Sequence, residues 1–149
     1  MPVRPEKLVL YPGGSLRSPE WLSIRERIRE RAGNACEQCG VKNHALGGRL
    51  KDGTFLSARP LGDNGLRLEW PQTGTWAWCG PNHDPAHLRI IRIVCTVAHV
   101  NHDETDNRDE NLRFWCQRCH NRHDAAHRKA NRKRNAAVDA GQTDIEDML

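Results

Sequence analysis

Four cysteines fall into two pairs with the spacing Cys-X-X-Cys. The pairs are Cys36/Cys39 and Cys116/Cys119. A gap of two residues lets both sulfurs of a pair face one ion, and four thiolates complete a tetrahedral zinc site. The 76 residues between the pairs exceed what a compact zinc ribbon needs, so two disulfides are an alternative. We expect one structural Zn²⁺ held by all four thiolates, because paired cysteines in a reducing compartment are metal ligands before they are disulfides.

Histidine is concentrated around the second cysteine pair. Five of the eight histidines lie between residues 99 and 127, namely His99, His102, His120, His123 and His127. Imidazole titrates near neutral pH, so each of them can act as a general base or, when neutral, as a metal ligand. On a helix, His120 and His123 would share one face and could converge on a single ion.

Residues 91–130 resemble the zinc-knuckle form of the HNH endonuclease family. The resemblance rests on a hydrophobic strand that ends in Val97-Ala98-His99 and on a loop that closes in Asn111-Leu112. It also rests on the sequence Cys116-Gln117-Arg118-Cys119-His120 at the start of a helix. The upstream cysteine pair and the helix before it extend the likeness to about half of the chain, whereas residues 40–87 lie outside it.

The resemblance implies a ββα-metal core and metal-dependent hydrolysis of DNA phosphodiester bonds, by cutting or nicking. His99 matches the general base that activates water, Asn111 matches the asparagine that orients the base and orders the loop, and His120 matches a metal ligand. Imidazole suits the base because it accepts a proton near pH 7, and a divalent ion stabilises the charge that develops on the phosphate. One catalytic ion (Mg²⁺, Mn²⁺ or a transition metal) is therefore expected beside the structural zinc.

One position departs from the family pattern. The residue before the base is usually an aspartate or histidine that binds the metal, and here it is Ala98. Either His102, Asp103 or His123 replaces the missing ligand, or the domain is a catalytically inactive, zinc-stabilised module that binds nucleic acid. An exchange of roles, with His99 as ligand and His102 as base, is a further alternative.

Basic residues are concentrated on the helix that begins at the second cysteine pair. They are Arg118, Arg122, Arg128, Lys129, Arg132, Lys133 and Arg134. Such a run supplies sequence-independent affinity for a phosphate backbone, so DNA is the expected partner, although a solvated helix face has a similar composition. Trp70, Trp76 and Trp78 are candidates for stacking on bases, whereas Trp21 and Trp115 are expected in the core.

The N-terminal third predicts an irregular arm followed by a helix. Residues 1–17 are rich in proline and glycine and indicate the arm. Ser18 as N-cap and Pro19 as the first helical residue predict the helix start, and Gly33 predicts its end.

The rest of the chain predicts short strands and one long helix. Residues 40–87 hold eight of the twelve glycines, which favours hairpins and loops in this insertion, with turns at Asp52-Gly53 and Asn64-Gly65. Residues 88–97 predict a central strand because both faces are mostly apolar, and residues 112–115 predict a second strand.

The helix that begins at the second cysteine pair has a predicted end, and two cysteines, Cys79 and Cys95, lie outside the pairs. The helix is expected to run to about Ala137 and to end at Gly141, within an acidic, mobile tail of residues 138–149. Cys95 is interpreted as a small buried hydrophobic residue, and Cys79 receives no role.

Composition excludes several classes of protein. The chain has 149 residues, a formal net charge of +4 and a mean hydropathy of -0.80, which excludes a membrane span. No apolar leader is recognisable, so we expect a protein of the cytoplasm of a bacterial or phage-infected cell, not a secreted one. The expected fold is a small α+β domain over residues 18–137, stabilised by zinc, with an N-terminal helix and a hairpin-rich insertion. Hydrophobic residues make up only 37% of the chain, and such a small core benefits from a bound metal.

Overall fold

The fold combines helices with several small antiparallel sheets. A computed structural model describes residues 4–63 and 65–148, with side chains through Val138. In this part of the chain, the helices are α1 (Pro5–Leu8), α2 (Pro19–Arg31) and α3 (Gln117–Met148). None of these helices combines the length and the apolar character that a membrane span requires.

Helix α2 begins and ends where the sequence predicts. The Ser18 side chain accepts a hydrogen bond from the backbone N–H of Trp21 (3.2 Å), which satisfies one of the free donors of the first turn. Trp21 and Ile28 on one face of α2 are buried. Gly33 follows the helix with a φ of 65°, a left-handed conformation that favours glycine. The arm before α2 is less irregular than predicted, because it contains α1 and a 3₁₀ turn.

The insertion consists of short hairpins, as predicted. Its strands are β1 (Leu46–Arg49), β2 (Phe55–Ser57), β3 (Gly62–Asp63), β4 (Leu68–Glu69), β5 (Trp76–Cys79) and β6 (Ala86–Arg89). The antiparallel pairs are β1 with β2, β3 with β4, and β5 with β6. Gly53, in the predicted turn between β1 and β2, has a φ of 92°. Of the second predicted turn, Asn64 lies outside the described residues.

The single central strand predicted over residues 88–97 is wrong. The chain instead forms the end of β6, then β7 (Ile91–Arg92), which pairs with β1, and then β8 (Cys95–His99). Val94 lies between β7 and β8, and its backbone N–H donates to the side chain of Gln117 (3.1 Å). Strand β8 pairs with β9 (Leu112–Cys116) in a two-stranded sheet. The helices α2 and α3, rather than further strands, cover the apolar side chains of β8. Apolar residues on both faces of this segment therefore do not indicate a strand in the centre of a sheet.

Two separate clusters of buried side chains stabilise the fold. The larger lies between α2, β8, β9 and the start of α3, and it contains Ile28, Ile93 and Leu112. The smaller lies under the insertion and contains Ala77 and Ile90. Cys95 belongs to the larger cluster, which confirms its prediction as a buried residue, and Cys79 is buried in the smaller one.

Helix α3 is longer than predicted. It passes through Gly141 and reaches Met148. A glycine inside a helix costs about 1 kcal/mol relative to alanine and does not force an end. The side chains after Val138 lie outside the described part of the chain. The mobility of the acidic tail, residues 138–149, therefore stays a prediction.

Candidate functional site

The four paired cysteines lie together, as a zinc site requires. Cys36 and Cys39 occupy the turn after α2, Cys116 ends β9, and Cys119 lies in the first turn of α3. Their sulfur atoms all lie within 4.8 Å of one another. The two pairs are far apart in the sequence, but the fold brings them together because the chain returns to the cysteine cluster after the insertion.

The dimensions of the cluster fit a zinc ion. Four Zn–S bonds of about 2.3 Å in a tetrahedron place the sulfurs roughly 3.8 Å apart. Cys39 Sγ and Cys116 Sγ are 3.7 Å apart. The cluster can thus hold a structural Zn²⁺ with little movement of its ligands.

The thiols of the cluster differ in how readily they ionise, because burial raises the pKa of Cys39 and of Cys119, whereas the pKa of Cys36 is lowered. Burial opposes ionisation of Cys36, but backbone hydrogen bonds from Cys116, Cys39 and Gln38 outweigh it and lower the pKa of that thiol to about 7. The guanidinium of Arg49 lies 3.5 Å from Cys116 Sγ and also donates to the carbonyl of Gly53 (2.8 Å). Arg49 therefore links the β1–β2 turn to the sulfur cluster.

His99 is the last residue of β8, and its side chain is buried. Its ring stacks on Trp21 of α2 with centroids 5.7 Å apart and an interplanar angle of 10°. Tyr11 from the N-terminal arm meets the same ring edge-on at 5.9 Å. The side chain is 9% exposed in total, so these two aromatic rings fix its orientation.

Asn107, rather than Asn111, forms a hydrogen bond with His99. The Asn107 amide group donates through Nδ2 to the carbonyl of Glu104 (3.1 Å), and its Oδ1 lies 2.8 Å from His99 Nε2. Because Oδ1 can only accept, Nε2 of His99 carries the proton and Nδ1 keeps its lone pair. Nδ1 is consequently the atom of His99 that can accept a proton from water.

Asn111 orders the loop, as its predicted role requires. Its Nδ2 donates to Asn101 Oδ1 (2.9 Å) and to the backbone carbonyl of Asp106 (2.8 Å), and its Oδ1 accepts from the Asn101 N–H (3.2 Å). These bonds close the loop between β8 and β9 from within. The buried Asn111 thus supports the loop that follows His99, and its side chain forms hydrogen bonds with Asn101 and Asp106.

A second group of potential metal ligands lies where α3 meets the loop after β8. His102, His123 and Asp124 each offer a ligand atom, and these atoms lie within 4.8 Å of one another. Asp124 Oδ2 is also 3.1 Å from His120 Nε2, and Asp124 Oδ1 is 3.5 Å from His102 Nδ1. The three histidines predicted as ligands therefore gather around a carboxylate that sequence reasoning missed, although its spacing of four residues from His120 was the available signal.

The histidines of this cluster are held by fixed contacts. His123 Nε2 donates to the carbonyl of Val100 (2.9 Å), so in the neutral tautomer Nδ1 is the free ring nitrogen. His120 Nδ1 lies 3.2 Å from the hydroxyl of Thr96 on β8. His102 has a φ of 60°, and its ring stacks on His127 at 3.8 Å. Such a backbone conformation is costly for a residue other than glycine and is typical of functional sites.

Burial favours the neutral form of two of these rings. It lowers the pKa of both His102 and His120 below the ordinary value, and the nearby carboxylate of Asp124 opposes this effect in both. Neutral imidazole is the form that binds a metal ion. The cluster is thus electrostatically suited to a divalent cation.

The proposed substitutes for the missing ligand behave differently. Ala98 is buried in the larger cluster of apolar side chains. Asp103 caps the loop by accepting from the backbone N–H and the hydroxyl of Thr105 (2.9 and 2.6 Å), and among the described residues the close ligand group consists of His102, His123 and Asp124 instead. His102 and His123 remain as the substitutes that the geometry brings together.

A groove of about 660 Å³ runs along β8 between α2 and α3. His120 and Asp124 line it, and Arg25 and Arg128 add positive charge from the two helices. Most of the basic residues predicted to contact DNA are exposed on α3, namely Arg122, Lys129, Arg132, Lys133 and Arg134. Arg118 is different, because it packs against the β1–β2 turn and donates to the carbonyl of Asp52 (3.3 Å).

Comparison of the chain with protein families, with curated proteins and with solved structures finds no match. The cysteine cluster and the group formed by His102, His120, His123 and Asp124 are therefore the features from which a function can be inferred.

Proposed function

We propose that the protein is a metal-dependent endonuclease of the HNH type that hydrolyses DNA phosphodiester bonds. The observation that supports this best is the convergence of His102, His120 and His123 on Asp124, next to the strand pair whose first strand ends in His99. A base, a set of metal ligands and a basic helix then belong to one unit of β8, β9 and α3.

His99 activates water in this proposal. Asn107 fixes the proton on Nε2, which leaves Nδ1 as the proton acceptor. The stack on Trp21 holds the plane of the ring, so the base is oriented before the substrate binds. A positioned general base of this kind contributes about 10²–10⁴-fold to a rate.

His102, His123 and Asp124, with His120 beside Asp124, would hold the catalytic divalent ion. When bound, the ion neutralises the charge that develops on the phosphate and on the leaving oxygen. Asp124 supplies the carboxylate that the family pattern places at Ala98, but from the helix instead of the strand. The imidazole-rich donor set favours a transition metal over Mg²⁺.

The basic residues of α3 and the proposed structural zinc position the substrate and the site. The exposed cations of α3 attract the phosphate backbone without reading its sequence. The proposed structural zinc joins Cys119, at the start of α3, to the end of β9, and so fixes the helix on which His120 and Asp124 lie.

A plasmid cleavage assay tests the proposal. Protein that retains its zinc is supplied with Mg²⁺, Mn²⁺ or Ni²⁺, and His99→Ala and Asp124→Asn are assayed beside His83→Ala, an exposed histidine in a distant turn. We expect metal-dependent nicking or linearisation that the first two variants lose by at least about 100-fold and that the control keeps. Cleavage by His99→Ala at the parental rate would exclude His99 as the base.

The alternative is a zinc-stabilised module that binds nucleic acid without cutting it. The buried Ala98 and the low exposure of His99 favour this alternative, because the usual ligand is missing and the base is covered. Salt-sensitive binding in a gel-shift assay without cleavage under any ion would support it.

A further inference from the structure

The outward face of the β5–β6 hairpin is an aromatic strip that no part of the proposed catalytic unit uses. Trp76 and Trp78 alternate with buried residues along β5, so both rings project from the same face, and they are 63% and 53% exposed. His87 on β6 lies opposite Trp78, with ring centroids 5.0 Å apart, and it stacks loosely on Trp76 at 6.2 Å. Large exposed tryptophans are rare without a partner, and adjacent ones mark an interaction surface.

Arginines lie on both sides of the strip, and Glu69 lines a groove at its Trp76 end. Arg89 lies opposite Trp76 in the β5–β6 register. On the other side of β5, the backbone N–H of Arg59 donates to the carbonyl of Trp78 (3.0 Å). The neighbouring Ala58 is buried, so Arg59 lies on the same face as Trp78, and its guanidinium donates to the side-chain oxygen of Asn82 in the β5–β6 turn. None of the residues of β5 and β6 is acidic.

This combination favours one class of ligand. Base rings stack on exposed aromatic side chains, and arginines at the border of such a surface meet the phosphates that join the bases. The rings lie on the exposed face of a hairpin, whereas paired bases inside a duplex present only their edges. The chemistry therefore fits unpaired bases and not a regular double helix.

We infer that Trp76, Trp78 and His87, bordered by Arg59 and Arg89, form a stacking platform for single-stranded DNA. The inference rests on the proposed function and deepens it, since it gives the substrate a single-stranded segment. Binding to the platform itself does not require a catalytic ion, and the two proposals can therefore fail separately.

The test measures binding of a fluorescent oligothymidylate by anisotropy, with the zinc retained and no other divalent ion added. Trp76→Leu/Trp78→Leu keeps apolar side chains but removes the rings, and Trp76→Phe/Trp78→Phe restores smaller rings as the matched control. An abasic oligonucleotide of the same length keeps the phosphates without the bases. Zinc content and melting temperature establish that each variant is folded.

We expect the leucine variant to bind the oligothymidylate at least about tenfold more weakly, because each stacked base contributes on the order of one such factor. The phenylalanine variant should recover most of this loss, and the abasic oligonucleotide should bind weakly and equally to all three proteins. Equal affinity of the parental protein and the leucine variant would overturn the inference and leave the strip as a protein-docking face. If the protein binds the oligonucleotide in a ring-dependent way but does not cut plasmid, the nuclease proposal is refuted and the platform is not. If the protein cuts plasmid but its binding does not depend on the rings, the platform is refuted and the nuclease proposal is not.

Discussion

Removal of the metal from the four-cysteine cluster should unfold the larger half of the molecule. Three of the four cysteines are buried among the side chains of the larger cluster, beside Ile28, Ile93 and Leu112. Structural zinc contributes about 10–16 kcal/mol in small zinc domains at pH 7, which equals or exceeds the net stability of a typical domain, about 5–15 kcal/mol.

The expected result is therefore loss of the cooperative unfolding transition and not a small shift. The protein is treated with a chelator, its zinc content is measured, and thermal unfolding is followed by circular dichroism. Near-ultraviolet signals report on the packing of the tryptophans, of which Trp21 and Trp115 are buried. One zinc per chain is expected before treatment, and addition of Zn²⁺ should restore the transition.

A pair of matched variants separates the metal from the packing of a cysteine. Cys116 and Cys79 are both 0% exposed, but Cys79 lies in the smaller cluster, under the insertion. Cys116→Ala should lose the zinc and the transition, whereas Cys79→Ala should keep one zinc and lose only about 1 kcal/mol of stability. A metal-free protein that melts within a few degrees of the zinc-loaded one would refute the reasoning.

Three further changes follow from single contacts. Arg49→Met removes the donor to Cys116 Sγ and should weaken zinc binding by about 10–100-fold. Competition with a coloured chelator measures the zinc affinity, and an unchanged affinity would show that Arg49 does not support the zinc site. Leu112→Ala opens a cavity at a fully buried position and should cost about 2–5 kcal/mol of unfolding free energy in urea, with a smaller loss if the site collapses. Gly53→Ala should cost about 1–3 kcal/mol, because φ is 92° and the new Cβ would meet the guanidinium of Arg118, and equal stability would show that the turn relaxes freely.

Local signals predicted the elements that depend on neighbouring residues. The start of α2 follows from Ser18 and Pro19, since a cap and a first-turn proline act within four residues. The β1–β2 turn follows from the left-handed conformation that Gly53 adopts. The spacing within each cysteine pair likewise predicts a ligand pair, and the structure brings the two pairs together.

Features that depend on tertiary contacts could not be read in this way. Apolar residues on both faces of 88–97 were interpreted as a central strand, but α2 and α3 cover β8 instead. Asn107 and Asn111 are both asparagines of one loop, and only the fold decides which amide group reaches His99. Asp124 is one of many charged residues of α3 in the sequence, and only the fold brings it close to His102 and His123.

The order of the residues on α3 makes the second cluster depend on the first. Cys119 and His120 are adjacent, so a metal bound through Cys119 fixes the rotation of the helix about its axis. That rotation decides whether His120 meets Thr96 and whether His123 meets the carbonyl of Val100. The reverse dependence is weaker, because the sulfur cluster is also held by β9 and by the turn after α2. Zinc binding should therefore precede and organise the histidine–aspartate site, whereas loss of Asp124 should leave the zinc in place.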